Sequence, residues 1–389
     1  MERFQGVDYM AFDTLLTEEE ILIRSTVRDW VEDRIVPDIE RWYAEDRFPT
    51  ELIPELAGLG LLGPNLPEEY GCAGASNVAY GLICQELERG DSGIRSFVSV
   101  QGSLVMWPIF TYGSEEQRRY YLPKMAAGEL VGCFGLTEPD FGSNPGGMIT
   151  RAVADGDGYV LNGAKMWITN GSLADVAVVW AKLEGRVRGF LVHRDDPGFR
   201  GQPMKDKHSL RASDTSELIL EDCRIPGDRL LPGSDGLRAP LSCLTQARYG
   251  IAWGTIGAAM SCYDTALKYS LERIQFDRPI ASFQLVQERL VWMVSEITKS
   301  QFLNLQLGRL KDQGQASAAQ VSMGKRNGCQ VARESARLAR ETLGANGITA
   351  EYPVMRHMAN IESVYTYEGT HDMHTLIVGN EITGIQAYR

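Results

Sequence analysis

The sequence has no C-x-x-C pair, and its seven cysteines are odd in number, so neither a paired-cysteine zinc site nor a complete disulfide framework can be drawn from it. The thiols read as free, in a reducing compartment. A long uninterrupted apolar run is missing, which argues against a membrane-spanning helix, and residues 1–13 are mixed and acidic rather than a secretion signal. Excess basic charge is missing too. The net charge is −12 and the pI is near 5.1, which argues against a nucleic-acid footprint. A few arginines in a pocket can still set a local potential for an anionic ligand. There is no G-x-S-x-G elbow and no Walker A loop. A bacterial-type cytoplasmic protein fits these absences, and so does a mitochondrial-matrix protein whose transit peptide has been removed.

What is present is enough for a large core. The chain has 389 residues, with 44% hydrophobic and 23% charged, room for two or three domains. The first third reads as helices. Thr17-Glu18-Glu19-Glu20 and Ser114-Glu115-Glu116-Gln117 are capping boxes, and Ile21, Val27, Trp30, Val31 and Ile35 recur at helical spacing until Pro37. Further helical patterns begin at Pro49, Asn77 and Arg95. Gly58-Leu59-Gly60-Leu61-Leu62-Gly63 matches a dinucleotide fingerprint literally, but a helical run precedes it and Pro64 follows, so it reads as a helix end. From Val131 the signals turn to β. Residues 159–169 read as two short strands about an Asn162-Gly163 turn, and the runs 175–181, 189–192 and 217–220 continue a compact antiparallel domain of about one hundred residues. Helical periodicity returns at Leu241, with one long pattern over 316–343. The expected organisation is mainly α with a central β domain: helical 1–132, β 133–240, helical 241–389.

The stretch most suited to chemistry lies near the C-terminus. Tyr365-Thr366-Tyr367-Glu368-Gly369-Thr370-His371-Asp372-Met373-His374 sits between helical runs over 355–364 and 375–387, with Gly369 as the bend. A carboxylate held there among aromatic rings is partly desolvated, which raises its pKa toward a usable base. On spacing alone a solvated loop Glu is the commoner outcome. His371 and His374 are three apart with no third ligand apparent, so no metal site is expected. Cys133-Phe134-Gly135-Leu136-Thr137-Glu138-Pro139 leads into the glycine-rich loop Phe141-Gly142-Ser143-Asn144-Pro145-Gly146-Gly147, whose exposed amides suit a flat polar ring and an anionic tail, or simply a surface turn. A Trp in a strand, such as Trp167, is ordinarily core. The charges of Glu86-Leu87-Glu88-Arg89-Gly90-Asp91-Ser92-Gly93-Ile94-Arg95-Ser96 read by themselves as a solvated helix end.

Together these segments resemble the acyl-CoA dehydrogenase family over nearly the whole chain. The runs Thr366-Tyr367-Glu368-Gly369-Thr370-His371-Asp372 and Ile382-Thr383-Gly384-Ile385-Gln386-Ala387 resemble its glutaryl-CoA dehydrogenase branch. The resemblance implies a helical domain, a β-barrel-like domain and a C-terminal helical bundle, assembled as a homotetramer. It implies FAD as cofactor and an electron-transfer flavoprotein as acceptor. Glu368 would be the base, removing the α-proton of an acyl-CoA thioester while the β-hydride passes to flavin N5.

The flavin would lie against Phe134, Leu136, Thr137 and Ser143, and against Trp167, Ile168 and Thr169. Arg273, Phe276 and Gln284 would reach it from a neighbouring subunit, with Glu341, Leu343 and Gly344 and with Thr370 and Asp372. Asp277 stands where the family usually has Gly. Arg248, Tyr367, Gly369 and Ser143 would line the acyl-CoA. Arg95, with Ser96 and Ser99, would take the distal carboxylate of a glutaryl chain, and Glu88 and Tyr367 would be the polar pair that helps move a proton during decarboxylation to crotonyl-CoA and CO2. Gly90 departs from the bulkier residue common in the family. A different acyl-CoA substrate, and a non-enzymatic helical interaction protein without flavin, are the alternatives.

Overall fold

The computed structural model describes residues 3–387; residues 1–2 and 388–389, the outer ends of the two expected helical domains, lie outside the described residues. Helices open the chain. α1 (Glu18–Arg34) begins at the expected capping box, where the Thr17 hydroxyl accepts from the Glu20 amide at 3.2 Å and the Glu20 carboxylate accepts from the Thr17 amide at 2.9 Å. α2 (Ile39–Ala44) and α3 (Ile53–Gly58) are short. α3 stops at Gly58, and Gly60 and Gly63 then turn with positive φ, so the G-x-G-x-x-G run is a helix end as its context implied. α4 (Asn77–Gly90) and α5 (Ser92–Ser99) meet at Asp91. The second starts before the expected Arg95 because the Asp91 carboxylate caps the Gly93 amide at 2.7 Å. A π-helical stretch, Val100–Met106, leads into α6 (Trp107–Tyr112), and α7 (Glu115–Ala126) opens on the second expected capping box.

The middle of the chain is a curled seven-stranded sheet: β1 (Gly132–Gly135), β2 (Arg151–Asp155), β3 (Gly158–Thr169), β4 (Val176–Leu183), β5 (Arg186–His193), β6 (Phe199–Pro203) and β7 (Thr215–Pro226). Its order is β1-β4-β2-β3-β7-β6, with β5 on β4. Two sequence expectations fail here. The sheet is mixed, since β1 and β2 both run parallel to β4. Residues 159–169 are one long strand, with no turn at Asn162-Gly163. β7 pairs along its whole length, from Gly158↔Pro226 to Thr169↔Thr215, and absorbs the Asn-Gly as a bulge between Leu161 and Gly163. The Asn162 side chain fastens that bulge to β7, its Oδ1 accepting from the Asp222 amide at 2.9 Å.

The chain then returns to helices. α8 (Arg238–Glu272) ends in a small hairpin, β8 (Ile274–Gln275) and β9 (Arg278–Pro279). α9 (Gln284–Asp312), α10 (Ala318–Thr342), α11 (Val354–Thr366) and α12 (His371–Thr383) follow. α12 starts at residue 371 rather than 375 because the Thr370 hydroxyl accepts from the Met373 amide at 3.2 Å, and it stops at Gly384, left-handed at φ 68°. α4 is buried from Val78 to Gly90 and lies directly on α8. The approach needs glycine: a Cβ on Gly254 would stand 2.0 Å from Glu88 Oε2, and one on Gly257 would stand 1.8 Å from the Gln85 carbonyl. Gly90 faces the other way, against Val31 of α1 and Ile35 just past its end, so its small size shapes the α1–α4 packing.

Candidate active site

The loop from Tyr367 to Thr370 joins α11 to α12. Glu368 takes φ 51° and Gly369 takes φ 97°. A non-glycine residue in the left-handed region costs on the order of 1–3 kcal/mol and persists where its surroundings hold it. Here Arg248 Nε donates to the Glu368 carbonyl at 2.7 Å, and Lys325 Nζ donates to the carbonyls of Tyr367 and Gly369, the latter at 2.7 Å. A Cβ on Gly369 would meet His374 Nε2 at 3.0 Å and Arg248 Nη2 at 3.1 Å, so the bend requires glycine. Glu368 Oε2 is buried and has no hydrogen-bond partner. Burial pushes the Glu368 carboxyl above its ordinary range, against the pull of Lys325, Arg95 and Arg248. A solvated loop carboxylate is therefore not what the chain builds.

Arg95, expected from its charged context to lie near a solvated helix end, is 1% exposed. Its Nε donates to Glu88 Oε2 at 2.6 Å and its Nη2 donates to the Tyr367 hydroxyl. The Ser96 hydroxyl lies 3.3 Å from the same phenol, and the Ser92 hydroxyl donates to Glu88 Oε1 at 2.9 Å. Ser99, also fully buried, has a hydroxyl without a partner. Sequence positions some 270 apart thus form one polar cluster, and the chain continues from Tyr367 straight into Glu368.

A second assembly lies in the sheet. Phe134 and Leu136 are buried at the end of β1, and Phe134 packs edge-on to Trp180 at 6.0 Å. The Met166 amide donates to the Thr137 carbonyl at 2.9 Å, and Lys165 Nζ donates to the Leu136 carbonyl at 3.1 Å and to Glu138 Oε1 at 2.8 Å. These bonds tie the segment 134–137 to the segment 167–169. Burial holds the Lys165 ammonium down to about 8 against the pull of Glu138. Trp167 corrects the expectation for a strand Trp: it is 59% exposed at φ 64°, on a register shift between Lys165 and Ile168 that turns its ring outward. Ile168 is buried beside it, Thr169 is half-buried, and Ser143 is exposed in the glycine loop. A flat aromatic face beside backbone edges and a loop of exposed amides fits a planar ring carrying an anionic tail, as FAD does.

The remaining expected cofactor residues gather elsewhere. In the β8–β9 hairpin Phe276 and Asp277 take φ 51° and 61°, so Asp277 adopts the left-handed geometry without glycine and leaves Phe276 87% exposed. Tyr269 Oη accepts from Arg273 Nε at 2.8 Å and from Asn346 Nδ2 at 3.1 Å, which joins the hairpin to the turn after Leu343 and Gly344. Glu341 pairs with Arg337 and with Arg289, the latter at 3.6 Å, and Gln284 is exposed at the start of α9. Thr370 caps α12, and Asp372 is exposed in its first turn.

Sequence reasoning passed over Lys325, gave Asp91 no role of its own, and weighed His374 only as a metal ligand. Lys325 is fully buried on the small-residue face of α10, with Ser322, Gly328 and Cys329 at helical spacing, and a lone Lys on such a face was the available signal. Asp91 accepts from Gly93 N, from Arg356 Nη1 at 2.6 Å and from Asn360 Nδ2 at 2.9 Å, locking the start of α5 to α11. His374 is buried with neither ring nitrogen bonded, and burial together with Lys325 and Arg248 holds it neutral, down to about 2. Among the described residues no group of three or more His, Cys, Asp and Glu is placed to hold a metal ion.

A helical domain, a curled sheet and a helical bundle thus carry a desolvated carboxylate on a strained loop and, on the sheet, an edge that fits a planar cofactor ring: the class is an acid–base enzyme with a flat cofactor. Family models agree along the chain: the acyl-CoA dehydrogenase N-terminal domain matches residues 17–129, the middle domain 133–223 and the C-terminal domain 234–383. The chain belongs to the acyl-CoA dehydrogenase family, and its cofactor is FAD. It is similar to the crystal structure of glutaryl-CoA dehydrogenase from Mycobacterium smegmatis, with 57% identity, TM-score 0.95 and 97% of each chain covered. A glutaryl-CoA dehydrogenase from the same organism, in complex with FADH2, shares 51% identity at TM-score 0.97, covering 98% of this chain and 99% of that one. The human mitochondrial short-chain specific acyl-CoA dehydrogenase is 33% identical over 381 residues, 96% of this chain and 92% of its own.

Proposed function

We propose that the chain is a glutaryl-CoA dehydrogenase, converting glutaryl-CoA to crotonyl-CoA and CO2. The observation that carries this reading is the buried Arg95, bonded to the Tyr367 hydroxyl, one residue from Glu368. Glu368 removes the α-proton of the thioester, its burial having raised its affinity for that proton. The 134–137 and 167–169 segments would hold FAD, which when bound would supply the acceptor for the β-hydride. Arg95 spends Nε on Glu88 and Nη2 on Tyr367, which leaves Nη1 for the distal carboxylate, with the Ser96 and Ser99 hydroxyls assisting. The bond to that carboxylate then breaks, CO2 leaves, and the electron pair delocalises into the thioester as a dienolate. Glu368 returns its proton to complete crotonyl-CoA, assisted by Tyr367 and Glu88.

Arg273, Phe276 and Gln284 reach the FAD of a neighbouring subunit in a homotetramer, and an electron-transfer flavoprotein takes the electrons. The exposure of Phe276 supports the cross-subunit role. A second reading, dehydrogenation of another short-chain or dicarboxylic acyl-CoA without decarboxylation, draws on Glu88, which already neutralises Arg95. Isotope-labelled glutaryl-CoA and mass spectrometry separate the two. Labelled CO2 with crotonyl-CoA is expected, and accumulation of glutaconyl-CoA without CO2 would leave the second reading standing.

A further inference from the structure

Three consecutive carbonyl oxygens flank and include the Glu368 residue, and cations hold all of them. Lys325 Nζ takes those of Tyr367 and Gly369, and Arg248 Nε takes that of Glu368. Backbone carbonyls on a loop with two successive positive-φ residues would ordinarily turn to water. Here two of them, 42 and 44 residues along the chain from Lys325, converge on its ammonium, which is 0% exposed. Burying an ammonium is costly unless it is well bonded, and Lys325 spends its hydrogen bonds on this loop. Arg248 lies on α8, so the loop is gripped from two helices.

We infer that Lys325 is the positioning residue of the catalytic base: it fixes the backbone from which the Glu368 carboxylate reaches the substrate α-carbon. Its charge also opposes protonation of that carboxylate. This rests on the reading of Glu368 as the base. A side chain pivots about its backbone, so a loop released at Tyr367 and Gly369 turns the Glu368 Cβ away from its reach. The charged and titratable groups facing Lys325 are Cys329 on its own helix, Glu368 and Tyr367 on the loop, Arg248 on α8, Arg95 on α5, and His371 and His374 on α12. Among the cations acting on Glu368, Lys325 is the strongest. Burial brings Lys325 itself down to about 8, against the pull of Cys329 and Glu368.

The test isolates proton removal from oxidation. Acetyl-CoA has an α-carbon and no β-carbon, so the FAD-loaded enzyme in D2O can exchange its α-protons but cannot take a hydride. Exchange is followed by NMR across pH. Lys325→Met is expected to slow exchange roughly 10- to 100-fold, the scale of a misplacement near 1 Å, and to move the acid limb of the profile upward. Lys325→Arg keeps the charge but not the compact tetrahedral donor, so it should leave the acid limb in place while still slowing exchange; it decides the matter alone if the Met variant does not fold. Wild-type exchange rates in the Arg variant, or an unmoved limb in a folded Met variant, would overturn the inference. Glu368→Gln is the control. If it abolishes exchange while the Lys325 variants exchange normally, only the role of Lys325 falls; if it too exchanges normally, the base reading falls.

Discussion

Replacing Arg95 by Met tests whether its buried cation serves substrate, fold or both. The Arg95 guanidinium and the Glu88 carboxylate sit 2.6 Å apart at 1% and 0% exposure. Removing the guanidinium leaves Glu88 buried with the Ser92 hydroxyl, at 2.9 Å, as its remaining hydrogen-bond partner. Orphaning one member of such a pair costs about 3–5 kcal/mol. Changing Glu88 to Gln in the same chain removes the orphaned charge, so the double variant should recover most of that loss. Substrate effects follow a different logic. Loss of the charge-assisted bond to a distal carboxylate costs about 2–5 kcal/mol, or roughly 30- to 5,000-fold in kcat/KM. Butyryl-CoA has no such carboxylate and should change by about threefold or less, as expected for a site it does not use. The assay is thermal unfolding of the FAD-loaded enzyme together with kcat/KM on both thioesters, for wild type, both single variants and the double. A double variant that regains stability yet stays poor on glutaryl-CoA is the expected result. Equal losses on both substrates, or recovery of glutaryl-CoA turnover in the double variant, would refute the carboxylate role of Arg95.

Glu368→Gln should reduce substrate-driven flavin reduction by about 10²–10⁴-fold or more in stopped-flow; reduction at the wild-type rate would remove Glu368 as the base. In the wild type the base must be ionised, and its pKa is raised, so kcat/KM should fall on acidification at a pH above the 4.5 of an ordinary Glu; a limb at or below that value would contradict the desolvated site. Arg273→Ala should lose FAD and shift toward smaller species in light scattering, since cofactor and assembly are linked by mass action; a flavin-replete, unchanged oligomer would count against the cross-subunit contact.

What the sequence made legible was local. The capping boxes at Thr17 and Ser114 involve groups three residues apart, so spacing alone located both helix starts. Gly369 was readable as a bend because the residue type itself answers to the backbone. The misreadings have distant causes. Asn162-Gly163 has the chemistry of a tight turn, but twelve residues of β3 align with β7, and that pairing overrides the turn. The stretch from Glu86 to Ser96 carries the charge pattern of a wet helix end, and its partners Tyr367, Arg356 and Asn360 lie more than 250 positions away. Strand position alone points Trp167 to the core, since nothing in its own strand announces the register shift that turns it outward; its place on the flavin face came from the resemblance. Lys325 illustrates the general case, since its worth depends on which carbonyls the fold brings to it.

α8 is a single rod of 35 residues, about 50 Å long at 1.5 Å per residue. Arg248, in its first third, grips the Glu368 loop, while Arg273, just past its end, begins the exposed hairpin. On the cross-subunit reading, one helix braces its own catalytic centre at one end and completes a neighbour's at the other. A chain crippled at Arg273 then injures its neighbour while its own Glu368 remains serviceable, and a chain crippled at Glu368 does the reverse. Co-assembled, two such defective chains rebuild a sound centre between them, so damage in this protein belongs to the pair and is shared or cancelled according to which chain sits beside which.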